Sequence, residues 1–171
     1  MADQGDVNLC KFVIEKTGNC VNETLPALII ASEKGHTEVC NFFIESGILH
    51  EMELQCAFHS AARSGNLEVC QLISDNLTDK NPADLENGET PLHRAALSGH
   101  IDVYKFLIEI VIEKIPTDNN GWTPLHYAAE KGYFQMCKVI AKNMTEKNPP
   151  ANDGTTPKQL LEEASKQLFS S

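Results

Sequence analysis

Thr90-Pro-Leu-His-Arg-Ala-Ala-Leu-Ser98 and Thr123-Pro-Leu-His-Tyr-Ala-Ala-Glu-Lys131 are two copies of one pattern set 33 residues apart. Weaker copies stand upstream at Cys56-Ala-Phe-His-Ser-Ala-Ala-Arg-Ser64 and Pro26-Ala-Leu-Ile-Ile-Ala-Ser-Glu-Lys34. Each copy reads as a short helix. Thr at the N-cap accepts a hydrogen bond from an orphan backbone N–H, Pro at the first helical position loses nothing by lacking its own, and the Ala pair lets a neighbouring helix approach closely. A glycine then ends the helix.

These glycines set the register: Gly5, Gly35, Gly65, Gly99 and Gly132, at intervals of 30, 30, 34 and 33. Behind each lies a second amphipathic segment. In the fourth, Ile101, Val103, Tyr104, Phe106, Leu107 and Ile108 form an apolar face, with Asp102 and Lys105 turned outward. Between copies, Asn87-Gly88, Asn120-Gly121 and Asp153-Gly154 recur at intervals of 33 and predict hairpin turns, approached by extended chain at Asn81-Pro82, Ile115-Pro116 and Asn148-Pro149. The unit is helix, turn, helix, projecting finger.

With this unit the chain resembles the ankyrin repeat family, whose repeat of about 33 residues carries Thr-Pro-Leu-His-x-Ala-Ala. Thr90 to Ala96 and Thr123 to Ala129 match closely, and the resemblance runs over about residues 5 to 165. The fold it implies is an all-α solenoid of paired antiparallel helices with short β-hairpin loops, forming a single domain over residues 1–171. An N-terminal half-repeat at 5–16 precedes four complete repeats at about 25–46, 55–77, 88–113 and 121–144, and a capping helix at 154–169 follows. The first two intervals are short and lack Asn-Gly-x-Thr-Pro, which predicts stunted fingers at 17–24 and 47–54 and full ones at 80–90, 114–123 and 147–156.

The periodic residues that suggest chemistry are read through the repeat. Cys10, Cys40 and Cys70 lie 30 residues apart and Cys137 is 67 further on, with Tyr104 at the intervening place. Equivalent residues in stacked repeats lie roughly 8–10 Å apart, beyond the roughly 7 Å Cα separation a disulfide tolerates, so these thiols are expected to act as small hydrophobes. Cys20 and Cys56 fall outside the series. His59, His93 and His126 lack the close-set ligand pairs of a zinc site; the resemblance makes them structural, bonding to nearby Thr hydroxyl or backbone groups at the helix start. No metal and no cofactor is expected. Nucleophile, base and orienting group do not occur as a local constellation, and no Gly-rich phosphate loop is present.

Composition bounds the rest. The 171 residues are 42% hydrophobic and 22% charged, as in a globular chain. No apolar run is long enough for a membrane span, and the acidic start has no basic n-region ahead of an apolar core, so an intracellular, cytoplasmic protein is expected and the three Asn-x-Thr sequons are expected to be unmodified. A net charge of −10 argues against nucleic acid and against an anionic membrane surface. Residues 1–85 carry 5 basic and 13 acidic groups, and residues 86–171 carry 9 and 11, so the acidic excess belongs to the first half.

The function the resemblance implies is a monomeric, non-enzymatic module that binds a protein partner through hairpin tips and the concave helix face. A narrower version is an inhibitor occluding a partner enzyme, and a reading of another class is an enzyme or metal protein. The candidate binding residues centre on Trp122, at a variable position where other copies have Glu89 and Thr155, because an indole buries large area with few rotors to freeze. Around it are placed Asn119, Asn120, Glu130 and Lys131, with Glu86, Asn87, Glu89, Leu97 and Ser98 from the preceding repeat and Arg63 from the one before.

Overall fold

A computed structural model describes residues 21–168. Nine helices occur among the described residues: α1 (Val21–Lys34), α2 (Thr37–Glu45), α3 (Glu51–Ser64), α4 (Leu67–Asp75), α5 (Pro91–Ser98), α6 (Ile101–Ile110), α7 (Pro124–Glu130), α8 (Phe134–Ala141) and α9 (Pro157–Leu168). The chain divides into two compact units, residues 1–79 and 80–171.

In the first unit α1 pairs with α2 and α3 with α4; α1 packs on α3 and α2 on α4. The core is the stripe that the helical period predicts: Leu28, Ala31, Val39, Cys40 and Phe43 from the first pair, and Leu54, Ala57, Phe58, Ala61, Val69, Cys70 and Ile73 from the second. Burying a side chain such as Phe58 contributes about 1.5–3 kcal/mol. The two pairs are also bonded through backbone: Asn66 Nδ2 donates to the carbonyl oxygens of Ser32 at 2.7 Å and Glu33 at 3.0 Å, satisfying the end of α1. Cys40 and Cys70 are buried thiols. Cys10 and Cys20, and the half-repeat at 5–16, lie outside the described residues.

The shortening expected at 47–54 is present and goes further than a stunted finger. Gly47 to His50 form a short link, and α3 begins at Glu51 and runs 14 residues, against 8 for α5 and 7 for α7. Residues 17–20 of the other expected finger lie outside the described residues, and 21–24 belong to α1, which also has 14 residues and carries Pro26 in its interior rather than at its start. Without Asn-Gly to turn the chain or Thr-Pro to start the helix, the segment continues the helix backwards. His50 and Glu53 form a capping box there, and Glu51 and Glu53 place negative charge at the positive end of the helix dipole. His59 therefore sits in the interior of α3, not at a helix start as its register with His93 predicts.

In the second unit α5 pairs with α6 and α7 with α8; α5 packs on α7, α6 on α8, and α9 on α7. Ala95, Ala96, Ala128 and Ala129 are fully buried, as close helix approach requires. Val103, Tyr104, Leu107 and Ile108 form the buried face of α6, while Asp102 and Lys105 are exposed and 3.9 Å apart. Tyr104 stands in the cysteine series with its ring fully enclosed. At the start of α9, Gln159 Oε1 accepts from Thr156 N at 2.8 Å, a polar substitute for the histidine of the earlier copies, and Lys158, Gln159, Glu162 and Glu163 are exposed.

Candidate functional site

The second unit carries three fingers. Each is closed by one pair of backbone bonds: Asp84 N to Glu89 O (2.8 Å) with Gly88 N to Asp84 O (3.1 Å), Asp118 N to Trp122 O (2.9 Å) with Gly121 N to Asp118 O (3.0 Å), and Ala151 N to Thr155 O (2.8 Å) with Gly154 N to Ala151 O (3.0 Å). They are turns rather than β-hairpins, because one pair does not make a ladder. Successive fingers are bonded to one another: Asn119 N donates to Asn87 O and Asn152 N to Asn120 O, both at 2.9 Å. This approach is why Gly88 and Gly121 are glycine. Both hold positive φ, and a Cβ would lie 2.5 Å from Asn119 Oδ1 and 2.6 Å from Asn152 Oδ1, respectively.

Buried histidines join helix starts to fingers. His93 Nδ1 accepts from Thr90 N at 3.0 Å, and His126 Nδ1 accepts from Thr123 N at 3.0 Å. Each ring's Nδ1 is then unprotonated, so its Nε2–H faces the carbonyl of the next finger, Trp122 O at 3.0 Å and Thr155 O at 3.3 Å. Burial lowers the pKa of His126, with smaller opposing contributions from the Thr155 and Pro149 backbone and from Asp118 and Asp153.

Trp122 uses its backbone in the repeat's own scheme: its N donates to Asp118 Oδ1 at 2.7 Å and its O accepts from His93. The indole is half-buried. It stacks on His126 at 5.6 Å between centroids and meets Tyr127 edge-on at 5.3 Å. With Glu130, Asp153, Thr155, Gln159, Leu160 and Glu163 it lines an open cleft of about 500 Å³.

Of the other expected site residues, Asn87, Glu86, Asn119 and Asn120 are exposed on the fingers, and Leu97 and Ser98 are half-buried at the end of α5. Glu130 and Lys131 are exposed and paired at 3.2 Å. Arg63 is exposed on α3 of the first unit. Glu89 is a correction to the expected surface set: it is 8% exposed, because Arg94 Nε lies 3.1 Å from its carboxylate. Arg94 also holds Asp84 at 3.0 Å, and Tyr127 donates to the buried Asp118 at 2.8 Å. Burial raises the pKa of Glu89, opposed chiefly by Arg94.

Sequence reasoning missed Arg94, Tyr127, Asp118 and Leu85. Arg94 and Tyr127 occupy the variable place within Thr-Pro-Leu-His-x-Ala-Ala, and in both copies that place carries a side chain that bonds to an Asp of a finger. The large polar residue at that place in each copy is the signal that could have found them. Leu85 is 93% exposed on its finger, next to Asp84, whose Oδ1 accepts from Glu86 N and Asn87 N. Among the described residues no three His, Cys, Asp or Glu side chains gather as a metal site, and no helix is long and apolar enough to cross a membrane.

Stacked helix pairs, αL glycines, histidine-tied helix starts and bonded fingers are repeat architecture, and a family model for ankyrin repeats in three copies matches residues 1–84 and 58–153. The chain belongs to the ankyrin repeat family. It is similar to protein fem-1 homolog C of Danio rerio, with 37% identity over 62 residues, 34% of this chain and 10% of the relative. To protein fem-1 homolog A-like of Mus musculus it is 31% identical over 86 residues, 48% of this chain and 13% of the relative. A probable E3 ubiquitin-protein ligase of Oryza sativa subsp. japonica is 29% identical over 89 residues, 50% of this chain and 18% of the relative. The chain thus spans under a fifth of the length of each of these relatives. Ankyrin repeats are in general protein-interaction modules.

Proposed function

We propose that this ankyrin-repeat chain is a non-enzymatic module that recognises a protein partner with the fingers of its second unit and the adjoining side of α5 and α7. The observation that carries the reading is Trp122. Its backbone N–H and carbonyl are both used by the repeat, whereas the indole takes no part in those bonds, and at the equivalent position the neighbouring fingers have Glu89 and Thr155. An indole held flat on His126 and braced by Tyr127 is an anchor whose rotamer is set before binding, which lowers the entropic cost of association. The exposed Asn87, Asn119 and Asn120 and the Glu130–Lys131 pair supply a polar rim around it. Leu85 adds an apolar contact at the preceding finger, and Glu89 serves behind the surface by holding Arg94.

The test is comparative capture from cells expressing the full chain, with each candidate partner then measured against purified protein. Trp122→Ala is expected to abolish a partner that Met52→Ala, on α3 of the first unit, leaves bound, while both variants keep the wild-type circular dichroism. A partner held equally by Trp122→Ala and lost by Met52→Ala overturns the assignment of the face.

A further inference from the structure

The second unit has another opening, on the side of α8 and α9 and separate from the indole cleft. A groove of about 450 Å³ lies over Leu125, Phe134, Cys137, Ala141, Pro157 and Leu161. Lys138, Lys147 and Lys158 stand around it, all exposed, and none of its lining residues is acidic. In a chain with 14 basic and 24 acidic residues, three lysines around one apolar groove is a local reversal of sign. Among the described residues only Lys158 of the three has a carboxylate partner, Glu162 at 3.9 Å, and both are well exposed.

The repeat explains the groove's shape. Each second helix in this unit rests on the first helix of its own pair and against the second helix of its neighbour: α6 on α5 and α8, α8 on α7 and α6. α9 packs on α7 as a first helix does, so the place beside both α8 and α9 is where the next second helix would lie. The residues 33 positions before Phe134, Cys137 and Ala141 are Ile101, Tyr104 and Ile108. Ile101 is half-buried and Tyr104 and Ile108 are buried, whereas Phe134 is 43% exposed and Ala141 half-buried; Cys137 remains buried. Next to the preceding copy, Cys137 and Ala141 carry less side-chain volume than Tyr104 and Ile108, and with Phe134 exposed this leaves room above α8.

We propose that this groove is a docking site for an amphipathic α-helix of a partner protein, with an apolar stripe at i, i+3 or i+4, and i+7, and with carboxylates along its edges. The seat has the place and direction of a helix in the array, its floor is apolar, and its lysines meet the flanks where long cationic stems cover apolar surface and leave the charge at the rim. Electrostatic complementarity selects acidic flanks over basic ones. The groove and the finger face are separate surfaces, so neither reading rests on the other.

The experiment is selection of displayed helical peptides of about 14 residues, randomised on one face and both flanks, against the full-length chain. Enriched peptides are expected to carry the apolar stripe with Asp or Glu at its edges. As free peptides they should bind the wild-type chain and lose at least about tenfold in affinity to the Lys138→Glu, Lys158→Glu double variant, with binding weakened by salt and unchanged by Trp122→Ala. Both lysines are exposed, so the double variant keeps its fold, checked by its melting temperature. Lack of enrichment, selected peptides with neutral or basic flanks, binding indifferent to the double variant, or binding lost by Trp122→Ala each overturns the proposal. So does a charge-sensitive dimer in sedimentation, which would make the occupant a second copy. Charge-sensitive retention on phosphatidylserine vesicles in place of peptide binding would make it a membrane surface and also overturns the proposal.

Discussion

His93 Nε2 stands 3.0 Å from the carbonyl oxygen of Trp122, so the imidazole that starts one helix also holds the backbone of the residue that carries the candidate interface anchor. The same ring accepts from Thr90 N through Nδ1. One neutral histidine therefore satisfies a helix N-terminus and a finger in the next repeat together, and the finger is positioned by a buried group rather than by contacts at its own tip.

The equivalent ring in the next repeat makes that dependence measurable. His126→Ala strips the partner from the buried Thr123 N and from the partly buried Thr155 O, and is expected to cost about 2–3 kcal/mol in urea unfolding. The pH dependence follows from the lowered pKa of His126, whose chief cause is burial. The unfolded chain binds the proton more readily, so this contribution to stability is complete above the ordinary value of 6.5 and is lost as pH falls below it. Melting temperature should drop between pH 7.5 and pH 5, and His126→Gln should flatten that drop.

The fingers should not tolerate a side chain at their glycines. Gly88→Ala and Gly121→Ala combine positive φ with a Cβ that meets the neighbouring asparagine, and each is expected to cost about 1–3 kcal/mol. Gly47→Ala has positive φ with nothing within 4 Å of the added carbon and should cost about 1 kcal/mol. Thermal denaturation of the three variants side by side checks the order.

Core and surface should separate at two residues three apart. Leu125 is 3% exposed, and Leu125→Ala should cost about 2–5 kcal/mol. Trp122→Ala loses stacking on His126 and Tyr127, about 1–2 kcal/mol, while removing the anchor. A Trp122→Ala variant as unstable as Leu125→Ala would mark the indole as core.

Arg94 is expected to matter more than its pairing with Glu89 suggests. Arg94→Met leaves Glu89 buried without its cation and should cost about 2–4 kcal/mol at pH 7.5. Because burial raises the pKa of Glu89, the folded protein takes up a proton there more readily than the unfolded chain, so stability rises as pH falls through that raised value. The penalty of Arg94→Met should shrink at pH 4.5, as read by urea unfolding at the two pH values.

The parts of the fold that were legible in advance are those written in short-range chemistry. Thr90-Pro91 and Thr123-Pro124 start helices, Gly99 ends α5, and Ala95-Ala96 and Ala128-Ala129 are buried pairs, as read. His59 departs from the register of His93, and the shortened finger at 47–54 goes all the way to a short link, because this copy has neither Asn-Gly nor Thr-Pro; there, Glu51 and Glu53 extend the helix instead. Of the candidate site residues, the indole, the finger asparagines and Glu89 all lie on fingers, as turn chemistry alone implies. The burial of Glu89 was not legible, because it depends on Arg94 five residues on and on Tyr127 in the following repeat.

What the sequence by itself determined is the repeat: its period, its helix starts and its turns, since capping, proline and αL glycine act within a few residues. Only the tertiary structure decided which variable positions face outward and what the histidines hold. His93 and Trp122 are 29 residues apart, and Asn66 and Ser32 are 34 apart. Those bonds form only when one repeat is laid on the next, so the tie from His93 to the Trp122 carbonyl and the open groove beside α8 belong to the stack and not to any single copy, whereas the stacking of Trp122 on His126 and Tyr127 is made within its own repeat.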